Sequence, residues 1–479
     1  MEQSFIAYIE NSIKENWDLD ALTDYKGATL QYKDVARKIE KLHIIFEASG
    51  IKKGDKIAVC GRNSSHWGVT FLATLTYGAV IVPILHEFKA DNIHNIVNHS
   101  EAKLLFVGDQ VWENLNESAM PLLEGIMMMA DFYILVSRSE KLDYAREHLN
   151  EMFGKKYPKN FRKEHVSYHK DQPDELAVIN YTSGTTSYSK GVMLPYRSLW
   201  SNTTFAFEVL PLKAGDKIVS MLPMAHMYGL AFEFLYEFAV GCHIFFLTRM
   251  PSPKIIFQAF TEVKPNLIVA VPLIIEKIIK KSVLPKLETP AMKLLLKVPI
   301  INDKIKATVR EQMIQAFGGN FAEIIVGGAA FNRGSGAVLK DDRFPLYGSY
   351  GMTECGPTHL LRGLDPLQTR FLRKGRTAYG GENPIIRSRK HSGRDCLPWS
   401  QCHAGLLQER RGHRTGTRQR RLAAHRRPCP DGCRRQRKHQ GTQQEHAPWS
   451  ERSEYLPGRD RRQTEQYAVC SRKHHRAAE

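Results

Sequence analysis

The chain has 479 residues, 42% of them apolar and 25% charged, proportions that exclude whole-chain disorder, a collagenous repeat and a small disulfide scaffold. Its formal net charge of +18 suggests a polyanion partner until the charge is located. Residues 358–479 hold 28 Lys+Arg against 11 Asp+Glu and residues 1–357 hold 40 against 39, so the excess sits in the tail and the longer front part is nearly neutral. Residues 1–17 carry Glu2, Glu10 and Glu15 and lack a basic stretch followed by an apolar core, so no signal peptide is expected. Val35, Ile39, Leu42 and Ile45/Phe46 recur at helical spacing, with Gly50 as the stop. A strand at 56–60 (KIAVC), a helix from about Trp67, an apolar run at 80–85, a helix bearing Ile93, Ile96 and Val97, and a strand at 104–107 follow.

The uncharged run 67–85 contains Thr70, Thr74, Thr76, Gly78 and Pro83, and reads as a buried helix and strand in preference to a membrane span. The alternation returns with apolar runs at 176–179, 217–222, 244–247 and 267–271, the last leading into a helix through Lys280. Short apolar runs separated by amphipathic helices predict an α/β fold with parallel sheets covered on both faces. Cys60, Cys242 and Cys355 lie far apart in the front part, which is thiol usage of a reducing compartment and places the chain in the cytoplasm.

After the run at 176–179 comes YTSGTTSYSKGVML at 181–194. Thr182, Ser183, Gly184, Thr185 and Thr186 can surround an anion with backbone and hydroxyl donors, and Lys190 can add a point charge. This is not a Walker loop, because Lys190 stands six residues after Gly184 and is followed by Gly191 where that motif needs Ser or Thr. Taken alone, such a run is more often an ordinary polar loop. The string resembles the phosphate loop of the AMP-forming (adenylate-forming) synthetases, written YTSGTTGxPKGVML, with Ser187 in place of Gly and Ser189 in place of Pro.

Three further stretches resemble that family in order and spacing: LPMAHMYG at 222–229 with its histidine motif at the acyl pocket, GGAAF at 327–331 with the loop against adenine, and YGSYGMTE at 347–354 with its YGxTE motif. Singly, His226 reads as a packed or capping histidine, the glycines at 327–328 as a tight turn and Glu354 as a solvated acid. The resemblance extends over residues 20–357, and the HMYG variant looks most like the long-chain fatty acid:CoA ligase branch. It implies a large N-terminal adenylation domain at 1–357, incomplete at its C-terminal end, that takes ATP, Mg2+ and coenzyme A as co-substrate with a fatty acid. Gly328, Ala329, Ala330, Tyr350, Gly351, Met352 and Thr353 would join Thr182–Thr186 and Lys190 around the nucleotide. Lys190, His226, Thr353 and Glu354 would be the catalytic set, with Glu354 on the metal, since a carboxylate suits a hard cation. The acid would attack the α-phosphate, pyrophosphate would leave and a thiol would capture the acyl-adenylate, so no side-chain nucleophile is needed and Cys355 is expected to be a packed thiol. Acyl chain length, a carrier protein in place of coenzyme A, peripheral membrane association and oligomeric state stay open.

The tail, 358–479, does not continue this pattern. It contains 24 Arg but only four of Val, Ile, Phe and Met together (Phe371, Ile385, Ile386, Val469), too few core-forming side chains to offset the entropy of ordering. The letters suggest a wrong reading frame. Residues 421–428 (RLAAHRRP) can be encoded CGG CTG GCT GCA CAC CGG CGA CC, and starting one nucleotide later gives GWLHTGD, which resembles the family's ribose-gripping segment. The same shift turns 440–457 into KGRNKNMLLGPSGQNIYP and 457–470 into PEEIEDKLNNMPYV, both similar to the family's small mobile domain. A one-nucleotide frame change near residues 358–359 is therefore expected, with the tail disordered and the chain impaired. Two alternatives follow: a non-catalytic product that only binds nucleotide, or a basic binder of nucleic acid through the tail. The 434–438 run (RRQRK) would bind polyanions without sequence choice, so no specific nucleic acid is expected. Cys429, Cys433, His439 and His446 have spacing too loose for a zinc site.

Overall fold

Local sequence explains where the first elements start and stop. In the computed structural model the described residues are 3–182, 190–249, 251–282, 308, 310–329, 345–354, 360–363 and 405–406. All fall in the first of the two units into which the chain divides, 1–425 and 426–479. Ser4 caps the helix Phe5–Glu15, its hydroxyl accepting from Ala7 N at 3.1 Å. Strands β1 (Asp20–Asp24) and β2 (Thr29–Gln31) lead to the helix Tyr32–Ser49, whose first turn is closed by Gln31 N donating to Asp34 Oδ2 at 3.1 Å. That helix buries Val35, Ile39, Leu42, Ile45 and Phe46 as the periodicity predicts, and ends at Gly50, whose φ of 85° is left-handed. After β3 (Lys56–Cys60), Ser64 caps the helix Ser65–Tyr77, Gly78 stops it at φ 88°, and β4 (Val80–Ile84) follows, buried at every position. The run 67–85 is thus a core helix and strand, and among the described residues no helix is long and apolar enough to cross a membrane.

The helix Ala90–Ser100, β5 (Ala102–Val107), β6 (Gly125–Met128), β7 (Ile134–Ser137), β8 (Leu176–Thr182) and β9 (Lys190–Pro195) continue the chain. Then come the helix Tyr196–Val209, β10 (Lys217–Ser220), β11 (His243–Phe246), the helix Pro253–Val263, β12 (Leu267–Ala270) and the helix Pro272–Ser282. The remaining described strands are β13 (Glu323–Val326), β14 (Leu346–Tyr350), β15 (Leu360–Gly363) and β16 (Gly405–Leu406). They form one sheet in the order β15-β14-β13-β12-β10-β11-β1-β2 and another in the order β16-β9-β8-β4-β3-β5-β6-β7.

The run from β14 to β1 and the run from β8 to β6 are parallel, as expected from the alternation of apolar runs and helices. The margins differ from that expectation: β1/β2, β6/β7, β8/β9, β14/β15 and β9/β16 are antiparallel. The segments joining the first four of these pairs are too short to carry a crossover helix, and a short connection permits only a hairpin. The helix Ser65–Tyr77 packs between the sheets. Trp67 and Phe71 stack with centroids 5.4 Å apart, and Phe71 meets Phe234 edge-on at 6.2 Å. The core around this helix takes Leu22, Ile244 and Phe246 from one sheet and Ile57, Val59, Phe106 and Val178 from the other. Cys60 and Cys242 are buried free thiols.

Candidate active site

β8 carries the phosphate-loop sequence to the carboxyl edge of its sheet. Its backbone pairs antiparallel with β9, and the hairpin's last described pair is Thr182 opposite Lys190. Ser183, Gly184, Thr185 and Thr186, with the departures Ser187 and Ser189, lie outside the described residues. Thr182 is partly buried and Lys190 exposed at the mouth of that hairpin. The end of β8 is fixed by Tyr181, 5% exposed, whose hydroxyl lies 2.7 Å from His99 Nδ1. Burial pushes the Tyr181 phenol up, so it stays neutral.

The histidine motif forms the turn after β10. Its backbone is bound from three directions. Glu233 Oε2 accepts from Met221 N at 2.9 Å and Leu222 N at 2.8 Å. Asn63 donates to Leu222 O at 2.6 Å and accepts from Met224 N at 2.9 Å. Asn180 Nδ2, two residues before Thr182 on β8, donates to Ala225 O at 2.9 Å. His226 then starts the short helix Met227–Leu230 as its N-cap residue, and burial holds its imidazole below the usual histidine range. Its side chain makes no capping bond to that helix, so the structure shows a buried histidine at an N-cap position. Gly229 lets the helix close on the turn, since a Cβ there would sit 2.8 Å from Pro223 O.

Three of the four motifs meet at Gly327. β13 and β14 are parallel, with Val326 opposite Gly348. A Cβ on Gly327 would overlap Ser349 Oγ and lie 2.8 Å from Tyr228 Cζ. Tyr228 Oη also donates to Ile325 O at 3.3 Å, and Gly327 N donates to Ala270 O at 3.1 Å. The glycine is required here by close approach, and at Gly328 by its φ of 78°. Gly328 is exposed and Ala329 partly buried, while Ala330 lies outside the described residues. Tyr350 ends β14, Gly351 and Met352 are exposed, and Thr353 and Glu354 are partly buried. The phosphate-loop strand joins this group through the Asn180–Ala225 bond. Cys355 and all residues of the apparent zinc set lie outside the described residues.

Among the described residues no group of three or more His, Cys, Asp or Glu could hold a metal. Glu354 offers one carboxylate, a donor of the kind that suits magnesium shared with substrate phosphates and water. Sequence reasoning passed over Asn63, Asn180 and Glu233. Their signal was weak: polar residues within apolar stretches, with partners that only the fold supplies.

A match to the AMP-binding enzyme family covers residues 9–380. Long-chain-fatty-acid–CoA ligase 5 of Rattus norvegicus is 27% identical over 360 residues, 68% of this chain and 50% of the rat protein. Long chain acyl-CoA synthetase 5 of Arabidopsis thaliana is 26% identical over 260 residues, 52% of this chain and 37% of that protein. The chain thus spans half or less of these relatives' lengths. Among solved structures, a long-chain-fatty-acid-CoA ligase from Archaeoglobus fulgidus superposes with a TM-score of 0.57 at 18% identity, covering 76% of this chain and 66% of that one. ATP-bound MatB from Rhodopseudomonas palustris gives 0.57 at 18% identity, covering 76% and 62%. At such identities the structural likeness establishes the fold.

Proposed function

The chain belongs to the AMP-binding enzyme family, and from that premise we propose that its intact form is an acid–thiol ligase that activates a long-chain fatty acid with ATP and passes the acyl group to coenzyme A. The observation that carries this reading is the meeting of Tyr228, Gly327 and Ser349, which brings the histidine, adenine-loop and YGxTE motifs to one point. The names of the relatives, long-chain acyl-CoA synthetases among them, support the acyl class.

In this reading the residues hold and orient; none forms a bond. Backbone and hydroxyl donors of the 182–186 loop and Lys190 bind the triphosphate, and fixed donors of this kind stabilise the charge that develops on pyrophosphate as the carboxylate attacks. The loop beside Gly328 and Ala329 receives adenine, and Thr353 reaches phosphate. Magnesium bound at Glu354 would neutralise part of the charge on the triphosphate. His226, kept neutral by burial, lines the acyl side without placing a cation against an apolar chain.

We propose further that residues 1–357 form the adenylation region and that 358–479 are read out of frame. The protein as written would therefore lack the Asp of the family's ribose-gripping segment and the catalytic Lys that the resemblance places in the small mobile domain, and would be impaired. The test is acid-dependent ATP/pyrophosphate exchange by a frame-corrected protein, with acids from acetate to palmitate. Glu354→Gln and Lys190→Ala should each lower exchange by about a hundredfold, as removal of one charge-stabilising group does. Absence of exchange with every acid defeats the reading.

A further inference from the structure

The turn that carries His226 makes one backbone hydrogen bond within itself, His226 N donating to Pro223 O at 3.0 Å. It contains Pro223, which lacks an N–H, and its other backbone groups look for partners elsewhere. Five of them are satisfied by side chains from elsewhere in the chain: Met221 N and Leu222 N by Glu233, Leu222 O and Met224 N by Asn63, and Ala225 O by Asn180. All three side chains are buried: Glu233 is 0%, Asn180 3% and Asn63 9% exposed. Glu233 sits on a π-helical turn, Ala231–Leu235, a rare local form that is frequent at functional sites. Asn63 follows β3 and Asn180 lies on β8, so two of the three anchors come from the sheet that bears the phosphate loop.

We propose that Asn63, Asn180 and Glu233 are positioning residues that fix the 221–226 turn and thereby place His226 and the acyl-side wall of the site relative to β8. This rests on the fatty-acid reading given above. The chemistry is specific. Asn63 offers one donor and one acceptor to two groups two residues apart, a match that no apolar residue and no carboxylate can reproduce in full. Glu233 presents a single oxygen to two consecutive amides, which a glutamine carbonyl can also do. Losing either anchor leaves buried amides without partners, and the turn moves to satisfy them.

The 479-residue chain is titrated by calorimetry with palmitate and, separately, with ATP and magnesium. Asn63→Ala and Glu233→Ala should each weaken palmitate binding about tenfold, the worth of one or two buried hydrogen bonds, and leave ATP affinity within about twofold. Glu233→Gln should recover most of what Glu233→Ala loses. Deuterium exchange should speed up at 221–226 and stay unchanged in β3 and β12. Equal loss of both ligands, or a Glu233→Gln variant as weak as Glu233→Ala, assigns these residues to general stability and overturns the inference. Unchanged palmitate affinity in the alanine variants overturns it alone. Wild-type 479-residue protein that binds no palmitate overturns it for this chain, while the fatty-acid reading of the intact form stands or falls separately on the exchange assay of the frame-corrected protein.

Discussion

Gly327 has no side chain, and that permits Ser349 and the ring of Tyr228 to close on one backbone position. A methyl group there must displace an aromatic ring packed against β13 or push β14 away. Overpacking of this kind costs about 1–3 kcal/mol. Gly327→Ala should therefore lower the unfolding free energy by that amount and reduce exchange activity in the frame-corrected protein, and Ser349→Gly in the same chain should restore part of both. Glu237 is the other residue whose environment makes a sharp prediction. It is fully buried, neither carboxylate oxygen has a hydrogen-bond partner among the described residues, and burial raises it from 4.5 to about 8. The folded chain thus holds a proton that the unfolded chain releases above its ordinary glutamate value. Stability from this group is complete below about pH 4.5 and is lost as pH rises toward about 8. Between the two ends of that window, the urea midpoint of the wild type should lose ground relative to that of Glu237→Gln as pH rises; parallel slopes would contradict this. Neither Gly327's neighbours nor Glu237's lack of partners is legible in sequence, because both depend on residues far away along the chain.

At the scale of elements, the stop at Gly50 was read from the sequence and the sheet edges were not. Gly50 and Gly78 end their helices with left-handed φ, a need that single residues announce. The helix Phe5–Glu15 is different, since its N-terminal amides are bound by a residue more than 160 positions away. Asp171, 6% exposed, accepts from Phe5 N at 2.9 Å and Ile6 N at 3.3 Å and also bonds Ser4 Oγ. A carboxylate suits the positive end of a helix. Asp171→Ala should cost about 1–2 kcal/mol and raise deuterium exchange in 5–15 before the rest of the chain responds. Uniform exchange across the molecule would instead place Asp171 among ordinary core contacts. The antiparallel margins escaped the periodicity argument because a buried apolar run carries no mark of the direction of its partner. That direction follows from the length of the connection.

For the whole molecule, charge and fold separate only in part. Residues 1–357 are nearly neutral and supply every described strand except the antiparallel edge strands β15 and β16, which fall in 358–479 where the net positive charge lies. Intact chain should be retained on duplex DNA of any sequence at low salt and released steeply as salt rises, the signature of phosphate neutralisation by arginine. Preference for one DNA sequence would restore a specific nucleic-acid role. Sequencing the DNA over codons 355–362 decides the frame directly.

The sequence by itself determined the alternation of helix and strand, the parallel cores of both sheets and the order of four motifs, because these depend on local periodicity and on strings of adjacent residues. Only the tertiary structure decided that Tyr228, Gly327 and Ser349 share one point, and that Asn63, Asn180 and Glu233 hold the turn before His226. The reason is physical: a buried backbone amide or carbonyl accepts any correctly placed partner, so the partner's identity is set by how the two sheets pack and leaves no pattern in the chain.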